Sequence, residues 1–399
     1  MKNKVKDSNN RSDHSSLDDV KQRVRRELRY NQPDFWLLIS IVLLLGLGTM
    51  MVASASSASA YSMGENSTAY DIIKKQIFFA VLGVGIMAFA SFIDYKKWAR
   101  FTIPYFIGCI ALLVLVQLVG KTVNGAKRWL DLGFTDFQPS ELFKIGVIIF
   151  MAFLFSKPGL VDKIVTIRGF FIYGIPIAIG IGLLGMQPHI SCVVIIGVVM
   201  VAMMFAGGVK LRTYLCLGAV VAVLVTVVLA SGLVDFSYIL KRIFTFTDPE
   251  HDTSGESYQI MQSLYAISSG GLFGKGFGQG VQKYLYLPEP YNDFILSILA
   301  EELGFLGVAL VLCIFALFIW RGYKVARYAP DRFSSLTAFG ITTLIAVQVI
   351  MNVAVVTSSM PVTGISLPFF SYGGTSLVIL LGSMGILLNI SKQAHYDKF

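Results

Sequence analysis

The feature that most constrains this chain is a series of apolar blocks, each about 20 residues long, the length a helix needs to cross a bilayer. They fall at 35–55, 76–93, 101–120, 140–156, 168–185, 190–207, 212–231, 293–320, 333–357 and 367–391. In lipid every backbone N–H and C=O must find a partner inside the protein, so only helices and closed barrels span it. These blocks are too long and continuous for barrel strands. The expected fold class is therefore all-α: a polytopic membrane protein with about ten transmembrane helices. Composition agrees, since 55% of the 399 residues are hydrophobic and only 14% are charged.

The net charge of +9 is not a nucleic-acid footprint, because its distribution follows topology. With the N-terminus inside, most of the 33 Lys and Arg fall on segments 1–34, 94–100, 157–167, 208–211, 321–332 and 392–399. That is the positive-inside pattern. It places both termini in the cytoplasm and makes 1–34 a basic cytoplasmic tail, with the membrane domain over 35–399. No small-residue cleavage site follows a short apolar core, so 1–34 is not expected to be a signal peptide. Cys109, Cys192, Cys216 and Cys313 all lie within apolar blocks without metal-ligand spacing and read as buried small hydrophobes. Trp36, Trp98, Trp129 and Trp320 sit near block ends, as aromatic-belt residues do.

Two outward segments are longer than connectors need: 121–139 and 232–292. The second is a large extracytoplasmic loop, and a structureless loop of that length is unusual unless it is functional. It ends in Pro288, Glu289, Pro290, Tyr291, Asn292 and Asp293, before an apolar helix carrying Glu301 and Glu302. On a helix Ser297 would lie about 40° and Glu301 about 80° around from Asp293, with Glu302 about 180° away and Glu301 about 12 Å deeper. Residue chemistry leaves two readings for Asp293, a functional carboxylate or a helix N-cap. Glu301 and Glu302 read first as members of structural pairs.

Elsewhere, Arg128 precedes Ser140, Glu141 and Lys144. Glu141 and Lys144 can pair at i, i+3, or Lys144 can join Arg128 in receiving an anionic headgroup such as a pyrophosphate. The glycine run at 270–280 mimics a phosphate loop but lacks the strand–loop–helix context, so a nucleotide site is discarded. Close backbone approach to a ligand, or loop flexibility, remains for it. Pro361, Gly364, Pro368, Gly373 and Gly374 break the start of the last block, and Gln348 and Asn352 lie four apart in the preceding one. Irregular backbone at membrane depth must be buried in protein or line a wet cavity. A polar cleft opening outward is the expectation.

These motifs resemble those of the SEDS family (shape, elongation, division and sporulation), which includes FtsW, RodA and SpoVE. The resemblance runs over nearly everything after residue 35. It rests on GAKRWLDLG at 125–133 with QPSELFK at 138–144, on YQIMQSLYAISSGGLFGKGFGQG at 258–280, on LPEPYNDFILSILAEELGFLG at 287–307 and on PVTGISLPFFSYGGTS at 361–376. Ser54, Ala55 and Ser56, the pair Lys75 and Gln76, and LPEP resemble the division and sporulation branch more than the RodA branch.

The resemblance implies a peptidoglycan glycosyltransferase in the bacterial cytoplasmic membrane, polymerising lipid II, a disaccharide-pentapeptide on undecaprenyl pyrophosphate. It maps the family's essential aspartate onto Asp293, as general base. Arg128, Lys144 and Lys275 become candidates for the pyrophosphate, and Glu141, Gln259, Gln262, Glu289, Glu301, Gln348, Asn352 and Ser371 further substrate-binding candidates. Implied partners are a class B penicillin-binding protein transpeptidase and other divisome or sporulation membrane proteins. No metal-ligand cluster is visible, although a divalent cation, Mg or Mn, is compatible with pyrophosphate chemistry. A lipid II flippase and a scaffold recruiting a transpeptidase are the rival readings. Many members carry Pro-Asp-Leu-Gly where this chain has Pro188, His189, Ile190 and Ser191, so no carboxylate role transfers there.

Overall fold

The computed structural model describes residues 32–57, 69–123, 126–133, 135–157, 159, 167–187, 189–215, 218, 256–284, 286–288 and 290–394. In chain order the helices are α1 (Phe35–Ser56), α2 (Ala69–Phe92), α3 (Tyr95–Val119), α4 (Pro139–Ser156), α5 (Ile167–Met186), α6 (Ile190–Ala206), α7 (Glu256–Gly270), α8 (Ile295–Tyr328), α9 (Arg332–Val356) and α10 (Gly374–Gln393). Among the described residues, seven of these are long and apolar enough to cross a membrane, namely α1 to α4 and α8 to α10. Nine of the expected blocks coincide with a helix; the block at 212–231 and the first part of the long loop fall mainly outside the described residues.

Packing sorts the helices into an inner and an outer set. α4 and α9 are mostly buried, whereas α2 and α3 present Phe78, Val81, Phe89, Ile103, Ile107 and Leu118 outward, as lipid-facing helices do. Close approach depends on small residues. A Cβ at Gly180 of α5 would lie 2.1 Å from the Phe143 ring of α4, and one at Gly385 of α10 would lie 2.4 Å from the Met87 carbonyl of α2. The side chains of Asp34, Asp94 and Asp331 cap α1, α3 and α9, each worth about 1 kcal/mol.

Polar ties mark both ends of the bundle. At the end bearing the N-terminus of α1, Asp34 pairs with Arg321 of α8 and its amide donates to Ser391 of α10. There too the Tyr95 hydroxyl donates to Asp331 at 2.5 Å, Asn389 accepts from the Tyr95 amide, and Arg332 donates to the Gly207 carbonyl. At the other end Ser54 of α1 donates to Glu302 of α8. Along α1 the two ties are about 30 Å apart at 1.5 Å per residue, the thickness of the hydrocarbon core.

Three details differ from the sequence expectation. Residues 121–137 form a small antiparallel sheet, β1 (Lys121–Val123), β2 (Ala126–Asp131) and β3 (Asp136–Phe137), in the order β1-β2-β3. These strands are too short for alternation to reveal them. α10 starts at Gly374, not 367, because Pro368 lacks an amide and Gly373 is extended. The long loop contains α7, which lies against α8.

Candidate active site at the mouth of the bundle

Asp293 closes a turn that runs into α8. The cap position of that helix is Phe294, without a side-chain cap bond, so Asp293 is not the N-cap. Its backbone is fixed from two directions. The Asn352 amide of α9 donates to the Asp293 carbonyl at 2.9 Å and to the Ile365 carbonyl at 2.7 Å. Ser371 accepts from the Leu367 amide and donates to the Asn292 carbonyl, both at 2.7 Å, and the Tyr372 amide donates to the Tyr291 carbonyl at 2.8 Å. The broken stretch before α10 is thus a clamp on the aspartate turn. Gly364 (φ +61°) brings that clamp against the carboxylate, since a Cβ there would lie 3.3 Å from Asp293 Oδ2.

Asp293 is half-buried on the wall of a cavity of about 660 Å³, within the size range of ligand sites. Arg128 and Trp129 of β2 line it with Lys75, Lys121, Asp131, Asp136, Gln138, Glu141, His189, Asn292, Gly364, Ser366 and Tyr372. Arg128 is oriented by donating from Nε to the Gln187 carbonyl at 3.0 Å. Glu141 is held by buried Lys144 at 2.8 Å. Burial, then the Arg128 and Lys144 charges, push the His189 pKa down to about 3, so this imidazole is neutral at working pH. The lining thus brings carboxylates, Asp293 among them, together with the cations Lys75, Lys121 and Arg128, of which Lys121 pairs with Asp136 at 3.8 Å.

Of the catalytic and substrate-binding candidates named from the sequence, this cavity takes in Asp293, Arg128 and Glu141. Asn352 and Ser371 stand behind the wall and hold its backbone. Lys144 is buried beneath Glu141. Gln259 and Gln262 lie half-buried on α7, and Gln348 is buried in α9, none of them on the lining. Glu289 lies outside the described residues.

Glu301 and Lys275 belong to a second polar cluster. Glu301 is fully buried and pairs with Lys275 at 2.7 Å, while the amides of Val281 and Gln282 donate to it at 2.9 and 3.1 Å. Glu302 is fully buried and pairs with buried Lys283 at 2.8 Å, with Ser54 and the Gly278 amide donating to it. The glycine run that mimics a phosphate loop wraps the protein's own carboxylates. Sequence reasoning missed Lys75, Lys121, Asp131 and Asp136. Their signal was positional: Lys75 and Lys121 are basic residues at the end where the positive-inside pattern leaves few. Among the described residues no three His, Cys, Asp or Glu gather as a metal-ligand set.

The chain belongs to the FtsW/RodA/SpoVE family of cell cycle proteins, which matches it over residues 35–396. It is 40% identical over 368 residues to stage V sporulation protein E of Bacillus subtilis, covering 91% of this chain and 98% of that one. It is also 40% identical over 371 residues to a probable peptidoglycan glycosyltransferase FtsW of Trichlorobacter lovleyi, covering 92% and 95%. Its fold superimposes with a TM-score of 0.74 on a chain from a peptidoglycan synthase complex that coordinates polymerization and crosslinking, at 25% identity over 92% of this chain and 99% of that one. The rod shape determining protein RodA of Thermus thermophilus shares the fold at a TM-score of 0.63 and 24% identity, over 92% and 98%. The full-length relatives thus include both division and sporulation proteins, as the motifs at 54–56, 75–76 and 287–290 suggest.

Proposed function

We propose that this membrane enzyme is a peptidoglycan glycosyltransferase that polymerises lipid II on the outer face of the cytoplasmic membrane, with Asp293 as general base. The observation that carries this reading is the half-buried Asp293 carboxylate lining a cavity that Arg128, Lys75 and Lys121 also line. The acceptor's GlcNAc 4-hydroxyl attacks the anomeric carbon of the donor's MurNAc. Its proton passes to Asp293 as the new C–O bond forms. The bond to the pyrophosphate breaks, and undecaprenyl pyrophosphate leaves with the electron pair, steadied by Arg128, Lys75 and Lys121. A single displacement turns the α linkage into a β linkage. Trp129 and Tyr372 supply faces for sugar rings. A class B penicillin-binding protein is the proposed transpeptidase partner, consistent with the likeness to a synthase-complex chain.

Transport is the weaker reading. A flippase must open alternately to both sides, and would have to break Asp34–Arg321, Tyr95–Asp331 and Arg332–Gly207 at the far end of the bundle in each cycle. The deciding experiment gives the purified protein, alone and with its transpeptidase partner, fluorescent lipid II in proteoliposomes. Glycan ladders without transbilayer movement are expected. Movement without ladders would replace this reading by the transport one.

A further inference from the structure

α7 and the loop after it run beside α8 in parallel. The Ser263 and Ser297 hydroxyls meet at 2.7 Å, and nine residues further along each segment the Leu306 amide donates to the Leu272 carbonyl at 3.1 Å. α8 is interrupted at Gly304 (φ +68°), and the loop repairs the break. The amides of Phe305 and Leu306 donate to Gly271 and Leu272, while those of Lys275 and Gly276 donate to the carbonyls of Glu301 and Glu302. Such repair is what a non-helical backbone at membrane depth requires.

The depth follows from the two polar ties. Arg321 and Glu302 of α8 are level with Asp34 and Ser54 of the uninterrupted α1, about 30 Å apart at 1.5 Å per residue, close to the full hydrocarbon thickness. Phe305 and Leu306 therefore lie just inside the boundary on the cavity side, and the loop bonded to them lies at the same level. There the loop points Leu272, Phe273 and Phe277 outward, Phe273 being 79% exposed, in continuity with exposed Phe305, Leu306 and Leu310 of α8. Among the described residues the charges it brings to this level, Lys275 and Lys283, are paired with Glu301 and Glu302, as charges near hydrocarbon must be.

We propose that segment 270–281 is a re-entrant wedge whose Leu272, Phe273 and Phe277 are immersed in the lipid of the leaflet on the cavity side. The occupant of this apolar surface is bilayer lipid at the acyl–headgroup boundary. Because the wedge grips α8 at Glu301 and Glu302, its immersion sets the height of the Asp293 turn, which precedes α8 on the headgroup side of that boundary.

The test places nitroxide labels in the full chain, in a Cys216→Ser, Cys313→Ser background, reconstituted in phosphatidylethanolamine–phosphatidylglycerol vesicles. Labels at Phe273→Cys and, separately, Phe277→Cys are compared with Leu310→Cys on the apolar flank of α8 and Lys127→Cys on the exposed sheet. The wedge predicts an oxygen-to-nickel-chelate accessibility ratio several-fold above that of the Lys127 label and near that of the Leu310 label. A ratio matching Lys127 overturns it, placing the loop in water. Exclusion of both probes also overturns it, because a protein surface then covers the loop. The side chains replaced are exposed, so folding does not depend on them, and the two positions check each other.

Discussion

At the residue scale, the site consists of a carboxylate whose backbone is fixed by others. Asn352 and Ser371 touch the Asn292 and Asp293 carbonyls, not the cavity. Replacing Asn352 with Leu removes two buried hydrogen bonds and leaves two carbonyls to find new partners, a cost of about 2–3 kcal/mol. The expected outcome is a lower melting temperature and a larger loss in turnover than in lipid II affinity; a loss confined to affinity would make Asn352 a substrate contact. His189 gives a pH prediction. Its folded pKa of about 3 lies below the ordinary 6.5, so the unfolded chain binds a proton first as pH falls. Stability is unaffected above 6.5 and declines from there toward 3. Relative to His189→Gln, the parent should lose roughly 1–2 kcal/mol between pH 7 and pH 5 in thermal unfolding, while the two share one activity profile near neutrality. An equal response to pH would mean the imidazole is solvated.

At the element scale, the glycine run is the feature the sequence described least well. Its composition suggested a ligand loop or slack chain, yet Gly270, Gly274 and Gly280 each pack against a neighbour 20 to 30 residues away. A Cβ at Gly274, where φ is +77°, would stand 2.2 Å from the Glu302 carbonyl, and one at Gly270 would stand 2.0 Å from that of Ala300. Such packing is invisible without the partner strand of chain. Gly274→Ala should cost about 1–3 kcal/mol, read as a drop in detergent melting temperature, whereas Gly133→Ala, with open space but φ +84°, should cost less. The carboxylate pair was more legible. Helical spacing put Glu301 and Glu302 on different faces, and they meet different lysines. Lys283→Met strands a buried carboxylate and should cost about 3–5 kcal/mol, and Lys283→Met with Glu302→Leu should recover most of it. No recovery in the double variant would mean that Lys283 serves something besides Glu302.

At the scale of the whole molecule, hydropathy alone placed the spans, because lipid demands continuous apolar helices and little else does. It misplaced the start of α10, since Leu367, Phe369 and Phe370 are apolar and buried but sit in a proline- and glycine-bound turn. The cavity was half legible. Asp293 and Arg128 stand in motifs, but their meeting depends on β2 folding over the mouth of the bundle, which no periodicity announces. Orientation has its own check. Lys127→Cys, on the exposed sheet, should react with an impermeant maleimide added to intact cells, and Lys97→Cys, at the opposite end, should react only after lysis. The reverse pattern would turn the cavity toward the cytoplasm.

The central claim, that Asp293 accepts the proton of the attacking hydroxyl, is tested most directly by measuring lipid II binding and glycan synthesis on the same preparation of Asp293→Asn. Removing a general base while keeping its shape predicts near-parental binding and synthesis slowed by about 10²–10⁴-fold. Synthesis within a few-fold of the parent would contradict the account and move the search for the base to Asp131, Asp136 or Glu141, which line the same cavity.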